Sequence, residues 1–289
     1  MKQTATFFST ISQTWNRLPV LVRAILSGFF VSTTGVAIWT ADMKLMPIVL
    51  AIPVMTILLW IYWRYFSGSW GAKISTESRK IRFRSTKLSG MVWRWGLIGA
   101  LLFVVIVQSS FVIIFRFLDV PAGYSSGYSI IETLPRWLAW ALIIMSSVVA
   151  GICEETGFRG YMQVPLEKRY GPVTGIIVVS VVFTFIHLNK IWAAPVIPNI
   201  FFASVLLGIL AWQSGSLIPG IIGHSILDVF DYSFWWTNFI PRTIRPTIFK
   251  TGVDQHFIFW TLIFVISITF FFWSINKLRK KNRAIASPD

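Results

Sequence analysis

The chain has 289 residues, of which 55% are hydrophobic, 16% aromatic and only 13% charged. Soluble domains carry roughly 45–50% apolar and about 25% charged residues, so a water-soluble globular domain and a disordered chain are both excluded, and a single cysteine, Cys153, allows no internal disulfide. The 26 Lys and Arg outnumber the 11 Asp and Glu, but they fall mostly between apolar runs, where a membrane protein keeps its basic loops, so the net charge of +15 implies no nucleic-acid partner.

A membrane-spanning helix needs about 20 apolar residues, and eight runs of that kind follow one another. The first, 20–40, stands behind Lys2, Arg17 and Arg23. It has the polarity of a signal peptide, but it is long and no small-x-small cleavage site follows, so it reads as an uncleaved anchor. The second and third runs, 46–66 and 91–115, enclose a loop, 64–94, with eight basic residues and one acid, Glu77. A fourth begins after Pro135 and Arg136, a fifth spans 172–188 and a sixth 197–212. The seventh covers 217–236 and the eighth 256–275, followed by a tail carrying Lys277, Arg279, Lys280, Lys281 and Arg283. There is no internal repeat. The fold expected is an all-α, polytopic integral membrane protein of about eight helices. It divides into N-terminal helices 1–3 with the basic loop (1–135), a core of helices 4–7 (136–236), and a last helix with its basic tail (237–289).

Eight spans put both termini on one side, and the charges orient them. Nineteen Lys and Arg, Arg159 among them, fall on the N-terminal side and seven on the other. Basic residues stay in the cytoplasm, so both termini and the loop 64–94 are expected there, most naturally at the cell membrane. That loop is read as solvated, with contact to anionic lipid a lesser alternative.

An ionisable group within the membrane is costly and marks function by default. His187 and His224 lie inside apolar runs, Asp228 shares the run of His224, and Glu154 and Glu155 end the apolar part of the fourth, ahead of Arg159. On a helix Glu155 and Arg159 are four apart and can pair, which leaves Glu154, about 100° round, free to face elsewhere. His224 and Asp228 share one face, and so do Phe183 and His187. A turn is expected near Tyr170-Gly171, and Glu154 and His187 each stand 16 residues from it, level at about 24 Å along an antiparallel hairpin. The next turn falls at 214–216, about 13 Å from His224. Four polar side chains from three runs therefore converge inside the membrane, nearer the cytoplasmic face. A carboxylate beside an imidazole can activate water, and a second histidine with a hydrogen-bonding neighbour can stabilise an oxyanion. Hydrolysis of an amide is the chemistry expected. The same side chains are also zinc ligands by type, although they fit no compact zinc signature, and zinc stays open as the weaker alternative.

The motifs themselves carry a resemblance. Glu154-Glu155-Thr-Gly-Phe-Arg159-Gly160 is similar to the E-E-x-x-x-R-G motif of the CAAX-protease and bacteriocin-processing (Abi) family, Phe183-Thr-Phe-Ile-His187 to its F-x-x-x-H, and His224-Ser-Ile-Leu-Asp228 to its H-x-x-x-N/D. Each motif alone is weak, but three in order, each on an apolar run, are specific. The resemblance spans about 136–236. It implies an intramembrane endopeptidase with a cavity open toward the cytoplasm. In it Glu154 and His187 activate water, His224 and Asp228 form the oxyanion site, and Glu155 and Arg159 support them. Asp228 departs from the asparagine of the prenyl-protein branch, and an ionised aspartate repels an oxyanion. The resemblance implies no cofactor, and it implies as partner a membrane-associated protein or peptide substrate in the lipid bilayer. The readings set against it are a non-proteolytic membrane scaffold, regulator or immunity protein of the same fold, and a proton-coupled transporter. Intact motifs speak against the scaffold, and the lack of broken-helix inverted repeats speaks against the transporter. The bland readings of single residues are an ion pair for Glu155 and Arg159, packing for Cys153, an interfacial place for His256, and interfacial belts for the tryptophans.

Overall fold

The computed structural model describes residues 13–85, 88–119, 129–188, 196–236 and 245–286, without the side chains of 129–130, 234–236 and 280–286. Lys2, Lys87, Lys190 and Arg242, and the side chains of Trp235, Trp236 and the tail from Lys280, lie outside that description. The regular structure of the described residues is all helical, without strands, and helices stand at all eight apolar runs. They are α1 (Val20–Leu45), α2 (Ile48–Phe66), α4 (Gly90–Phe117), α5 (Arg136–Glu154), α7 (Pro172–Phe185), α8 (Ile197–Ser214), α9 (Ile218–Trp236) and α10 (Gln255–Ala286). A short polar helix, α3 (Lys73–Arg82), sits inside the basic loop. After α5 the helix does not end. It widens into a π-helical segment, Glu155–Met162, and continues as α6 (Gln163–Tyr170). Six helical stretches among these are long and apolar enough to cross a membrane, α5 to α6 counting as one, and α7 is a shorter apolar helix.

Local chemistry sets the boundaries. Pro19, Pro47 and Pro135 immediately precede α1, α2 and α5, where a fixed φ suits helix entry. Gly171, at φ 84°, makes the turn that Pro172 follows at the start of α7, so the turn expected near Tyr170-Gly171 is present. Gly215, at φ 63°, closes α8 in the left-handed conformation that glycine adopts without strain. One boundary differs: α7 stops at Phe185, and 186–188 form a turn, so His187 is carried just past the helix end rather than within it.

Close approach of small residues brings the core helices together. A Cβ on Gly157 would meet the Gly28 carbonyl and Ser32 Cβ, each at 2.5 Å, so α1 lies directly on the π segment. A Cβ on Gly151 would collide with Ser225 Oγ, so α5 lies directly on α9 beside Glu154 and His224. Without a hydrophobic drive between helices in lipid, such packing and interhelical hydrogen bonds hold the bundle. A second apolar cluster, including Phe103, Ile106, Leu206, Leu210, Phe271 and Leu278, joins α4, α8 and α10. At one end of that seam the fully buried Arg116 donates to Asp254 Oδ1 at 2.8 Å and Thr251 Oγ1 at 2.7 Å, and holds the Asp254 carboxyl down at about 2. His256 joins this cluster, accepting from Trp260 Nε1 at 3.1 Å.

Candidate active site

The π segment puts two consecutive carboxylates on one histidine. His224 Nδ1 lies 2.9 Å from Glu155 Oε1, while its Nε2 lies 3.9 Å from Glu154 Oε2 and 3.8 Å from Asp228 Oδ2. The expectation that Glu155 would merely pair with Arg159 is thus incomplete. That pair exists, at 3.0 Å, but the same carboxylate also holds His224. Glu155 accepts from Nδ1–H, because it already faces the Arg159 guanidinium and acts as an ionised acceptor. The bond fixes the imidazole ring and turns Nε2 toward the cavity.

Burial separates the two glutamates. The Glu155 side chain is sealed at 0% exposure, whereas Glu154 keeps 17% and Asp228 24%. Gly220 leaves the room Glu155 needs, since a Cβ there would stand 3.1 Å from its Oε2. Arg159 is also fully buried. Its Nη2 donates to Ser204 Oγ at 2.9 Å and more weakly to the Ser204 carbonyl at 3.3 Å, and its guanidinium lies 4.7 Å from the Phe183 ring centre. Arg159 is therefore not the loop charge that its place after the fourth apolar run suggests. It neutralises a carboxylate inside the bundle, and the balance of flanking charges becomes eighteen to seven.

A cavity of about 240 Å³ opens over this cluster, lined by Glu154, His187, His224 and Asp228 together. All four side chains expected to meet do share it. His187 Nδ1 lies 2.8 Å from the Phe183 carbonyl oxygen. A carbonyl only accepts, so Nδ1 is the donor there, which leaves Nε2 as the nitrogen that could act as a base when the ring is neutral. The rest of the lining was not singled out from sequence: Gln108 and Asn199 on α4 and α8, and Asp231 and Tyr232 on α9. The signal was available. Asp231 and Tyr232 lie three and four residues after Asp228, on the same helical face, and Gln108 and Asn199 are amides in apolar runs. Apolar walls, Phe103, Val107, Phe111 and Leu207 among them, complete the cavity. Among the described residues no three His, Cys, Asp or Glu side chains converge as a set that would hold a metal ion.

Fold and site together define an all-helical, multi-pass membrane protein whose core buries an acid–histidine cluster. Residues 135–230 match the family model described as type II CAAX prenyl endopeptidase, Rce1-like, over about a third of the chain. The matched segment runs from the residue before α5 into α9 and contains all three motifs, in agreement with the resemblance to the CAAX-protease and bacteriocin-processing family that those motifs carry. No curated protein and no solved structure matched.

Proposed function

We propose that the chain is an intramembrane endopeptidase that hydrolyses a peptide bond of a membrane-associated protein or peptide near the cytoplasmic face. The observation that carries this is the shared cavity of Glu154, His187, His224 and Asp228, drawn from three separate helical elements. In the scheme, Glu154 takes up one proton of a water that His187 Nε2 orients by accepting from its other O–H, and the water oxygen attacks the carbonyl carbon. His224, held as the imidazolium between Glu155 and Asp228, would donate its Nε2–H to the carbonyl oxygen as charge builds there. The proton then passes to the leaving amine, and the C–N bond breaks. Asp228 Oδ2 lies 3.8 Å from His224 Nε2 and holds the ring from its cavity side. The apolar walls accept the side chains flanking the bond. No cofactor is required by this scheme. A zinc-dependent reaction is the alternative, and chelation tests it. The division at 136–236 separates this core from the flanking helices, and both termini are assigned to the cytoplasm of a cell-membrane protein.

Cleavage of a membrane-anchored reporter by purified protein in detergent tests the proposal. Glu154→Gln keeps shape but cannot accept the proton, so turnover should fall by about 10²–10⁴-fold while the thermal midpoint stays put. Near-native cleavage by that variant would overturn the scheme. Loss of cleavage on chelation, restored by zinc, would replace it with a metal mechanism, and full biological activity of Glu154→Gln would favour a scaffold.

A further inference from the structure

The basic residues outside the site are not evenly spread. A notch of about 350 Å³ beside the N-terminal part of α1 is lined by Arg23 of α1, Arg82 of α3, and Lys168 and Arg169 of α6, with Trp15 and Tyr161 among its walls. Four cations from three elements surround it, and among the described residues no Asp or Glu lines it. The nearby acid Glu167 is already bound by Arg84 at 2.7 Å. The Arg82 guanidinium lies 5.5 Å from the Tyr161 ring centre, and Arg82 and Arg23 are both half-buried. Half-buried like charges are held together at a cost unless an anion joins them.

A second cavity continues from the notch, of about 690 Å³ and sharing Trp15, Ser27, Arg82 and Tyr161 with it. Away from the basic end its walls are Leu26, Phe29, Phe30 and Val31 of α1. Phe30 is 68% exposed and Leu26 48%, on a helix read as spanning the membrane. A positive pocket that passes directly into an apolar groove is shaped for a molecule with an anionic head and hydrocarbon tails, whereas a free phosphate would leave the groove unused.

We propose that this notch and groove bind an anionic phospholipid of the leaflet that faces the basic loop. Its phosphate lies among Arg23, Arg82, Lys168 and Arg169, and an acyl chain runs down α1. Because Tyr161 belongs to the π segment that carries Glu155 and Arg159, the lipid would brace the outer side of the element that builds the candidate active site. The binding claim itself does not depend on proteolysis.

The test is lipid retention by the full chain, measured by native mass spectrometry after release from micelles containing equal phosphatidylglycerol and phosphatidylcholine. Retained lipid should be mainly phosphatidylglycerol. Each basic residue near an anionic surface contributes enough for about a fivefold change in binding. Lys168→Gln with Arg169→Gln, both exposed and so harmless to folding, should lower retention about 25-fold, and Lys73→Gln, outside the notch, should not lower it. Ser27→Phe, at the junction of the two cavities, should lower it by obstructing the tail. Equal retention of the two lipids, equal losses from Lys73→Gln, no loss from Ser27→Phe, or displacement of the lipid by millimolar inorganic phosphate would each overturn the proposal.

Discussion

The single residue with most consequence for the site is Arg159. Its guanidinium faces Glu155, Ser204 and the ring of Phe183 at once, and Glu155 in turn holds His224. Arg159→Ala leaves a carboxylate at 0% exposure without its guanidinium, and truncating one partner of a buried ion pair costs roughly 3–5 kcal/mol. The thermal midpoint and cleavage should therefore fall together, in contrast to Glu154→Gln. Arg159→Lys should recover part of the stability. It restores the charge but not the planar fork that reaches Ser204 and Glu155 simultaneously. A midpoint unchanged in Arg159→Ala would show that the buried pair is not what holds this part of the bundle. The E-E-x-x-x-R spacing made the Glu155–Arg159 contact legible in the sequence, and the i,i+4 spacing likewise placed His224 beside Asp228. The Glu155–His224 bond was not legible. It joins residues 69 apart across two helices, and regular α-helical geometry turned only one of two adjacent carboxylates toward any given partner.

At the scale of the element, that discrepancy has its cause in the π segment. Apolar runs and proline positions forecast the eight helices and the turns near Gly171 and Gly215, because burial and backbone restriction are written residue by residue. A change in helical winding is not. Glu155–Met162 holds two glycines, and only packing explains their use: Gly157 admits the backbone of α1, while Gly160 stands where a Cβ would meet the Arg82 carbonyl at 2.7 Å. π-helical segments recur at functional sites, and here the wider turn presents Glu154 and Glu155 to opposite nitrogens of one imidazole. Gly157→Ala should therefore damage the site from behind. The clash is with backbone and a short serine, neither of which can swing away, so overpacking should cost about 1–3 kcal/mol and lower cleavage as the segment shifts. Gly90→Ala is the control, since a Cβ there meets nothing within 4 Å. Thermal unfolding of both variants beside the parent separates a local packing constraint from a general intolerance of alanine. Equal midpoints for all three would remove the α1 contact as the element's support.

For the whole molecule the question is which end faces the cytoplasm. Two sets of contacts define the ends. Arg84 of the basic loop binds Glu167 beside the α6–α7 turn, and the Tyr161 hydroxyl donates to the Phe66 carbonyl at 3.4 Å. At the other end Lys250 lies 3.4 Å from Asp119, and Arg116 binds Asp254. The loop 64–94 and the turn after α6 thus share one end, as a regular alternation of spans requires, and between them they carry ten Lys and Arg, the loop's eight together with Lys168 and Arg169. Membranes retain such basic segments in the cytoplasm. The chain offers a clean measurement, because its sole cysteine, Cys153, is fully buried and gives little background to a thiol reagent. Glu77→Cys, on the exposed face of α3 with a side chain 78% exposed, should resist a membrane-impermeant maleimide in intact cells and react after permeabilisation. Phe249→Cys, at a position 79% exposed near Lys250, should react from outside without permeabilisation. The two outcomes are coupled, since the sites lie at opposite ends of the same bundle. Reversal of both would turn the molecule over, carrying the cavity of Glu154 and His187 and the basic notch to the outer face. Labelling of both from outside would contradict the five spans that separate α3 from α10.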